Sequence, residues 1–194
     1  FFDCSHEELS SMFMKEMQIS ETALKIFENT YPKQFLHQLV SSQLDTDRLD
    51  YLTRDSFFTG VSEGVIGTER ILKMFNVGNG ELMVDEKGVY SIEKFIISRR
   101  LMYWQVYMHK TVVAADNLMT NILKRARDLQ SVGKLNLQNH TISKHLAYFI
   151  EQGVRSKHDK EAIRHFLLID DSDVWSCVKA WADHEDAILS KLSS

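Results

Sequence analysis

A single proline in 194 residues constrains the fold of this chain more than any other feature. Proline ends or kinks helices, and here only Pro32 can do so, in a chain without low-complexity segments or internal repeats. Long helices with few breaks are therefore predicted. The periodicity changes only between Ile71 and Tyr90, where Gly78-Asn79-Gly80 separates two short apolar runs, and Asn-Gly is a strong hairpin signal. The predicted fold class is mainly α, a helical bundle with one small β-hairpin.

The helix boundaries follow from capping residues. Ser5 and Glu8 have the spacing of a capping box and predict a helix to about Met17. Ser91 is predicted to cap a long unbroken helix, and the acidic run from Asp170 to Asp173 is predicted to cap the last one. Further helices are predicted at Ser20–Asn29, at about 33–42 and in a stretch that ends near Phe57. The long helix is predicted at Ile92–Arg127 and the last one at Val174–Leu192, with Thr141–Gln152 and Lys160–Leu168 between them.

The composition favours a cytoplasmic globular protein. Hydrophobic residues make up 44% and charged residues 26% of the chain, and the net charge of −4 gives no bulk attraction to nucleic acid or anionic lipid. No apolar run reaches the roughly 18 residues that span a membrane, and no signal-peptide pattern opens the chain. Cys4 and Cys177 are too few for a disulfide framework or a zinc site, which favours a reducing compartment. The opening FFDC resembles the middle of a longer chain, so a fragment or processed product is expected.

The stretch Gln43 to Gly60 reads QLDTDRLDYLTRDSFFTG and concentrates charge in an apolar helical context. On a helix, Asp47, Tyr51 and Asp55 fall within about 80° of one another, and Arg48 lies about 100° from Asp47. One face could therefore present two carboxylates, a cation and a phenol.

An alternative interpretation of this stretch remains open. Leu44, Leu49 and Leu52 supply apolar surface to seat the helix, and its charges could form only a solvated face. Near-neighbour pairs such as Asp50 with Arg54 at i,i+4 would stabilise that face.

A second group of candidate residues lies in SRRLMYWQVYMHK. Arg99, Tyr103, Tyr107 and Lys110 fall within about 80° of each other on one continuous helix. Two cations and two phenols suit a phosphate with a ring or sugar beside it. The alternative is that the tyrosines are core residues and the cations extend their stems along the surface.

Together these stretches resemble the deoxynucleoside triphosphate triphosphohydrolase branch of the HD-domain phosphohydrolases. The matching residues are DTDRLDYLTRD from Asp45 to Asp55, followed after the predicted hairpin by Arg99, Tyr107, His109 and Lys110. The resemblance covers residues 1 to about 115 well and implies an HD-domain-like helical bundle. It makes residues 1–115 the C-terminal part of an HD-type catalytic domain, and 116–194 a helical extension packed on it.

The resemblance also implies roles for individual residues. Asp47 resembles the last ligand of the H…HD…D metal set, and metal-bound water is the nucleophile that such ligands generate. His6, in SHEE, resembles a histidine near the phosphate that assists departure of the leaving group. The substrate-binding residues implied are Arg48 and Arg99 at phosphates, Tyr51 and Tyr107 at the sugar, Asp55 at the 3′-hydroxyl, and Lys110.

The chain departs from the family pattern at the metal site. The first histidine and the H-D pair of the family precede the S-H-E segment, whereas this sequence begins at Phe1, so these ligands are expected in a preceding segment. His158-Asp159 is an H-D pair in the wrong order and context. The remaining histidines are interpreted as surface or structural residues because none has ligand spacing with Asp47: His37, His140, His145, His165 and His184. One metal ligand of four is expected, so the chain alone should not hold a tight catalytic metal.

The implied function is hydrolysis of deoxynucleoside triphosphates to deoxynucleoside and triphosphate, with a divalent metal ion whose identity (Mg, Mn, Fe, Zn or Ni) the sequence does not distinguish. A missing N-terminal segment would complete the site. The alternatives are an HD phosphohydrolase for another nucleotide, and a non-catalytic nucleotide-binding or regulatory relative. The resemblance further implies a homo-oligomer, dimer or tetramer, and no membrane partner.

Overall fold

The computed structural model describes residues 2–137, 142–153, 155–156 and 159–194. Across these residues it contains eleven α-helices and one two-stranded antiparallel sheet, which confirms the predicted mainly α class. Within the same residues no helix is both long and apolar enough to cross a membrane. The elements are α1 His6–Glu16, α2 Glu21–Phe27, α3 Gln34–Val40, α4 Thr46–Thr59, α5 Thr68–Met74, β1 Phe75–Gly78, β2 Glu81–Val84, α6 Val89–Met102, α7 Lys110–Ser131, α8 Lys144–Gln152, α9 Lys160–Leu167, α10 Asp171–Trp181 and α11 Ala187–Ser193.

The chain divides into two compact units. The middle unit comprises Met14–Val113, and the terminal unit comprises Phe1–Phe13 together with Ala114–Ser194. Each unit has a hydrophobic core of its own.

The hairpin of the middle unit forms where it is predicted. Phe75 pairs with Val84 and Gly78 pairs with Glu81, which leaves Asn79 and Gly80 as a two-residue loop. Both loop residues have positive φ, 54° and 84°. A tight hairpin turn of this kind requires positive φ at both positions, and Asn-Gly is the pair that adopts it at least cost.

The core of the middle unit seats α4 against α6. Leu49 and Leu52, one turn apart on the inner face of α4, are buried, as are Phe95 and Met102 of α6. Leu44 packs against the same cluster, so the three leucines predicted to seat the helix do so. The charged face of α4 is thereby turned away from the core.

The predicted unbroken helix from Ile92 to Arg127 is wrong. The helix α6 ends at Met102, Tyr103–Tyr107 forms a π-helical segment, and α7 begins at Lys110. The amide of Met108 donates to the carbonyl of Tyr103 at 2.8 Å, an i→i+5 bond that widens the turn by one residue. No glycine or proline marks this change, so the sequence pattern predicts one continuous helix through it.

The start of that helix also differs from the prediction. A short 3₁₀ turn at Glu86–Gly88 leads directly into Val89, so Ser91 lies inside the helix and does not cap it. Gly88 stands at the cap position. A Cβ on Gly88 would approach Val84 Cγ1 to 2.8 Å, which explains why this tight entry carries a glycine.

Polar caps define the helices of the terminal unit. The predicted capping box of α1 is present, with Ser5 and Glu8 each donating a backbone N–H to the other's side chain at 3.1 Å. Asp170 and Asp173 form a second one at α10. Ser143 caps α8, whose predicted start at Thr141 lies outside the described residues.

The predicted last helix, Val174–Leu192, is two helices. The first ends at Trp181, and Asp186 starts the next by accepting the amide of Leu189 at 2.8 Å. Arg125 donates to the same carboxylate through Nε and Nη2, at 3.1 and 2.5 Å. These bonds to Arg125 and to backbone amides lower the pKa of Asp186 far below its usual range. A side chain held this firmly as a cap stops the preceding helix from continuing.

The tight packing of Gly64 generates a stability prediction. A Cβ at Gly64 would meet Met102 Sδ and Ser56 Cβ, both at 2.8 Å, whereas one at Gly67 would meet only Arg70 Cβ at 3.9 Å. We expect Gly64→Ala to lower the free energy of unfolding by about 1–3 kcal/mol through overpacking. Gly67→Ala, the control at the N-cap of α5, meets no close atom and should lower it by less than about 1 kcal/mol, through the poorer cap alone. Urea unfolding followed by circular dichroism measures both, and equal effects would contradict this account.

Candidate functional site

An open pocket of ≈350 Å³ lies in the middle unit, on the charged face of α4. It is lined by Asp47, Arg48 and Tyr51 of α4 and by Tyr103 and Tyr107 of the π segment. Residues from both stretches singled out by sequence therefore meet at one place.

The first turn of α4 is fixed by a buried carboxylate. Asp45 is 2% exposed and caps the helix, accepting the amide of Arg48 at 2.8 Å and that of Ser42 at 3.1 Å. The guanidinium of Arg48 makes an ion pair with the same carboxylate and donates to the carbonyl of Ser42. Asp45 thus holds both the backbone beside Asp47 and the side chain of Arg48.

Asp45 forms part of the site, although the motif DTDRLDY by itself gives this residue no separate role. The signal that could have found it is the spacing Ser42-x-x-Asp45 ahead of an apolar-periodic run, which is typical of a helix start.

The contact between the two stretches is a hydrogen bond. The hydroxyl of Tyr107 donates to Asp55 Oδ2 at 2.8 Å, which brings the two motifs into direct contact. The ring of Tyr107 also meets Tyr51 and Tyr103 edge to face, with centroid distances of 5.9 and 5.2 Å. The three phenols form a connected aromatic wall.

Burial raises the pKa of two tyrosines in this aromatic wall. Burial, and then the hydrogen bond to Asp55, raise the pKa of Tyr107 well above its usual value, and burial chiefly raises the pKa of Tyr51. Both hydroxyls therefore remain protonated at neutral pH and can act as hydrogen-bond donors.

The other predicted site residues are placed less centrally. Arg99, on α6, lies over the ring of Tyr103 at 5.8 Å and donates to Gln43 Oε1 at 3.1 Å. Lys110 is exposed at the start of α7, does not line the pocket, and is separated from Tyr107 by the helix break. His6 is the exposed first residue of α1 and belongs to the terminal unit.

The break changes the geometry predicted for the second stretch. The π turn and residues 108–109 interrupt the helix, so no single helical face carries all four predicted residues, Arg99, Tyr103, Tyr107 and Lys110. Arg99, Tyr103 and Tyr107 remain linked through ring contacts.

The residues that line this pocket do not fit a metal ion by themselves. Asp47 is the sole carboxylate lining the pocket, and nowhere in the described ranges do three His, Cys, Asp or Glu side chains gather around one point. His140 and His158 lie outside these ranges, so the H-D pair at His158-Asp159 is described only through Asp159. Asp159 caps α9 and pairs with Arg155 at 2.7 Å.

Comparison with known proteins identifies the family. The family model described as "HD associated region" matches residues 66–163, half of the chain. This chain belongs to that family. The match begins after α4 and includes the hairpin, α6 and the π segment.

Individual relatives agree with this assignment. The uncharacterised protein YwfO of Bacillus subtilis is 36% identical over 87% of this chain and 36% of its own length. An uncharacterised protein of Mycoplasma pneumoniae is 28% identical over 96% of this chain and 48% of its own length. The chain thus spans between about a third and a half of these relatives.

A solved structure extends the likeness to the fold. The crystal structure of a phosphohydrolase from Bacteroides thetaiotaomicron superposes with a TM-score of 0.90 at 46% identity, covering 98% of this chain and 48% of that one. In sequence and fold, this chain therefore resembles about half of a protein that is named a phosphohydrolase.

The wall of phenols generates a pH prediction. Because the pKa of Tyr107 is raised on folding, its contribution to stability is present below about pH 10, the value of an unfolded tyrosine, and is lost as the pH rises beyond it. We expect Tyr107→Phe to remove little of the tyrosinate absorbance that the folded chain develops up to pH 11. Tyr90→Phe, at a tyrosine that is 83% exposed, is the matched control variant. Equal losses in the two variants would show that Tyr107 ionises freely.

The buried cap generates a second prediction. Asp45→Ala removes the cap of α4 and leaves Arg48 without its buried partner, so we expect a loss of about 2–3 kcal/mol in the free energy of unfolding. Asp50→Ala removes the exposed partner of Arg54 and should cost no more than about 0.5 kcal/mol. Urea denaturation of the two variants measures the difference, and a cost at Asp45 as small as that at Asp50 would contradict the assigned role.

Proposed function

We propose that this chain is the C-terminal part of the catalytic domain of a metal-dependent HD phosphohydrolase that converts deoxynucleoside triphosphates to deoxynucleoside and triphosphate. The observation that carries the proposal is the hydrogen bond from Tyr107 to Asp55. It joins the D-x-D-R-x-D-Y helix to the R-x₇-Y segment around a pocket that also presents Asp47 and Arg48. Two sequence motifs distant in the chain thus form one cleft of mixed charge.

The polar and aromatic groups suit a nucleotide. Arg48 presents a guanidinium at the pocket, and Arg99 lies one ring away, over Tyr103. Each guanidinium has five N–H donors, of which the contacts to Asp45, Ser42 and Gln43 use a part. Planar donors of this kind bind phosphate oxygens in pairs, so both arginines are assigned to the triphosphate.

The sugar is assigned to Asp55 and the tyrosines. Asp55 accepts the Tyr107 hydroxyl with one carboxylate oxygen, and its other oxygen can accept a 3′-hydroxyl. The Tyr51 ring, held at 5.9 Å from Tyr107, would close against the 2′ carbon. A ribose hydroxyl buried there without a partner would cost on the order of 1–3 kcal/mol.

The metal belongs to the longer protein. Asp47, in the first turn of α4, is the one ligand that this chain would contribute, with histidine and aspartate ligands supplied by a segment outside the described residues. Such an ion, when bound, would supply an activated water for attack on phosphorus. His6 would assist the leaving group, and Lys110 would add positive charge for the triphosphate. The protein would act as a cytoplasmic homo-oligomer, a dimer or a tetramer.

The test is hydrolysis of dGTP against GTP, and of dATP against ATP, by the complete protein. We expect a preference for the deoxynucleotides of roughly ten- to a hundredfold, which follows from the cost of an unpaired 2′-hydroxyl. Tyr51→Ala should narrow this gap. Tyr90→Ala, at an exposed tyrosine outside the pocket, is the matched control and should leave the gap unchanged.

Three outcomes would redirect the assignment. Equal rates on both sugars in the wild type would defeat the deoxynucleotide assignment and leave only a generic HD phosphohydrolase. Nucleotide binding without turnover would indicate a non-catalytic regulatory relative. Normal metal content and turnover in Asp47→Ala, measured by elemental analysis and product release, would show that Asp47 is not a ligand.

A further inference from the structure

We propose that His145 and His165, in the terminal unit, form a two-histidine binding site for a divalent transition-metal ion, with Zn²⁺ as its test ligand. His145 lies in the first turn of α8 and His165 in the last turn of α9. Their Nδ1 atoms face each other at 3.1 Å, although 20 residues separate them in sequence. The site involves none of the residues assigned to the nucleotide.

The distance between the two nitrogens carries the proposal. Neutral imidazole nitrogens approach this closely only around something that both can bind, either one shared proton or one cation. Two Zn–N bonds of about 2.0–2.1 Å at tetrahedral angles place the nitrogens roughly 3.3–3.4 Å apart, so the observed pair would open by only a few tenths of an ångström. The observed separation therefore fits an ion in place of the shared proton with little movement of either ring.

The surroundings hold the two rings in position. Tyr148 stacks on the His165 ring with a centroid distance of 4.2 Å and an interplanar angle of 7°. Arg155 lies over the Tyr148 ring at 5.9 Å from its centroid, and hydrogen bonds to Asp159 hold Arg155 in place. The backbone amide of His145 donates to the cap residue Ser143. A pre-oriented pair of ligands loses little conformational entropy on binding.

Exposure and charge set the kind of ion. Both histidines are half-buried, so water can complete the coordination shell on the open side. Lys144, next to His145, opposes a cation, whereas the nearby carboxylate of Asp173 favours one. Imidazole nitrogens suit Zn²⁺, Ni²⁺ and Cu²⁺, whereas Mg²⁺ and Ca²⁺ require oxygen ligands. We therefore infer a site of moderate affinity that links α8 to α9.

The experiment is titration of the folded 194-residue chain with ZnCl₂ at pH 7.5, followed by calorimetry and thermal unfolding, with MgCl₂ in parallel. We expect one Zn²⁺ equivalent that depends on both histidines and raises the unfolding midpoint by roughly 3–6 °C when Zn²⁺ exceeds its dissociation constant about tenfold. Mg²⁺ at the same concentration should have no effect.

Two variants keep the fold while removing the ligand pair. His165→Phe retains a ring that can stack on Tyr148 but has no nitrogen, and His145→Asn retains a hydrogen-bonding atom near the Nδ1 position. Each should weaken this Zn²⁺ binding at least about tenfold and abolish the shift in midpoint. His109→Ala removes an exposed histidine of the middle unit and is the control for single-histidine binding.

The outcomes separate cleanly. Loss of the equivalent in both pair variants, with His109→Ala unchanged, supports the site. Zn²⁺ binding that is unchanged in His165→Phe would overturn it, as would an equal response to Mg²⁺ or no Zn²⁺ response in the wild type. Circular dichroism of each variant before titration establishes that it is folded.

Discussion

The hydrogen bond between Tyr107 and Asp55 is the contact on which the candidate site depends, because it connects two segments that are 52 residues apart. Beneath it, buried leucines of α4 pack on Phe95 and Met102, and this apolar contact sets the distance at which the polar groups meet. A bond to a charged acceptor contributes about 1.5–3 kcal/mol when its groups are shielded from water. The core therefore brings the two helices together, and the polar bond fixes how their functional faces align.

A second constraint acts at the start of α4, where Asp45 is buried and satisfied by two amides and a guanidinium. A carboxylate in such a place is stable only while these partners remain, so Arg48 is held at the rim of the pocket by the same interaction that caps the helix. Stability and substrate binding would then share one residue.

The π segment has a comparable role for the tyrosines. Its wide turn ends α6 and leaves Tyr103 and Tyr107 in edge-to-face contact beside Tyr51. An ordinary α-helix would have carried Lys110 onto the same stripe, whereas here α7 begins at that residue after a break. Insertions of one residue into a helix are costly and occur mostly where they position functional groups, and this position agrees with a site that uses the tyrosines more directly than the lysine.

The sequence alone determined the mainly α class, the Asn79-Gly80 hairpin, the capping boxes at Ser5 and Asp170, and the face of α4 that carries Asp47, Tyr51 and Asp55. Each of these follows from interactions within a few residues, where turn geometry and helical period leave little choice. The break after Tyr107, the cap of α11 at Asp186 and the pairing of His145 with His165 were decided by the tertiary structure. They depend on partners as much as 61 residues away, such as Arg125 for Asp186. Local sequence spacing does not reveal such partners, because only packing brings them within bonding distance.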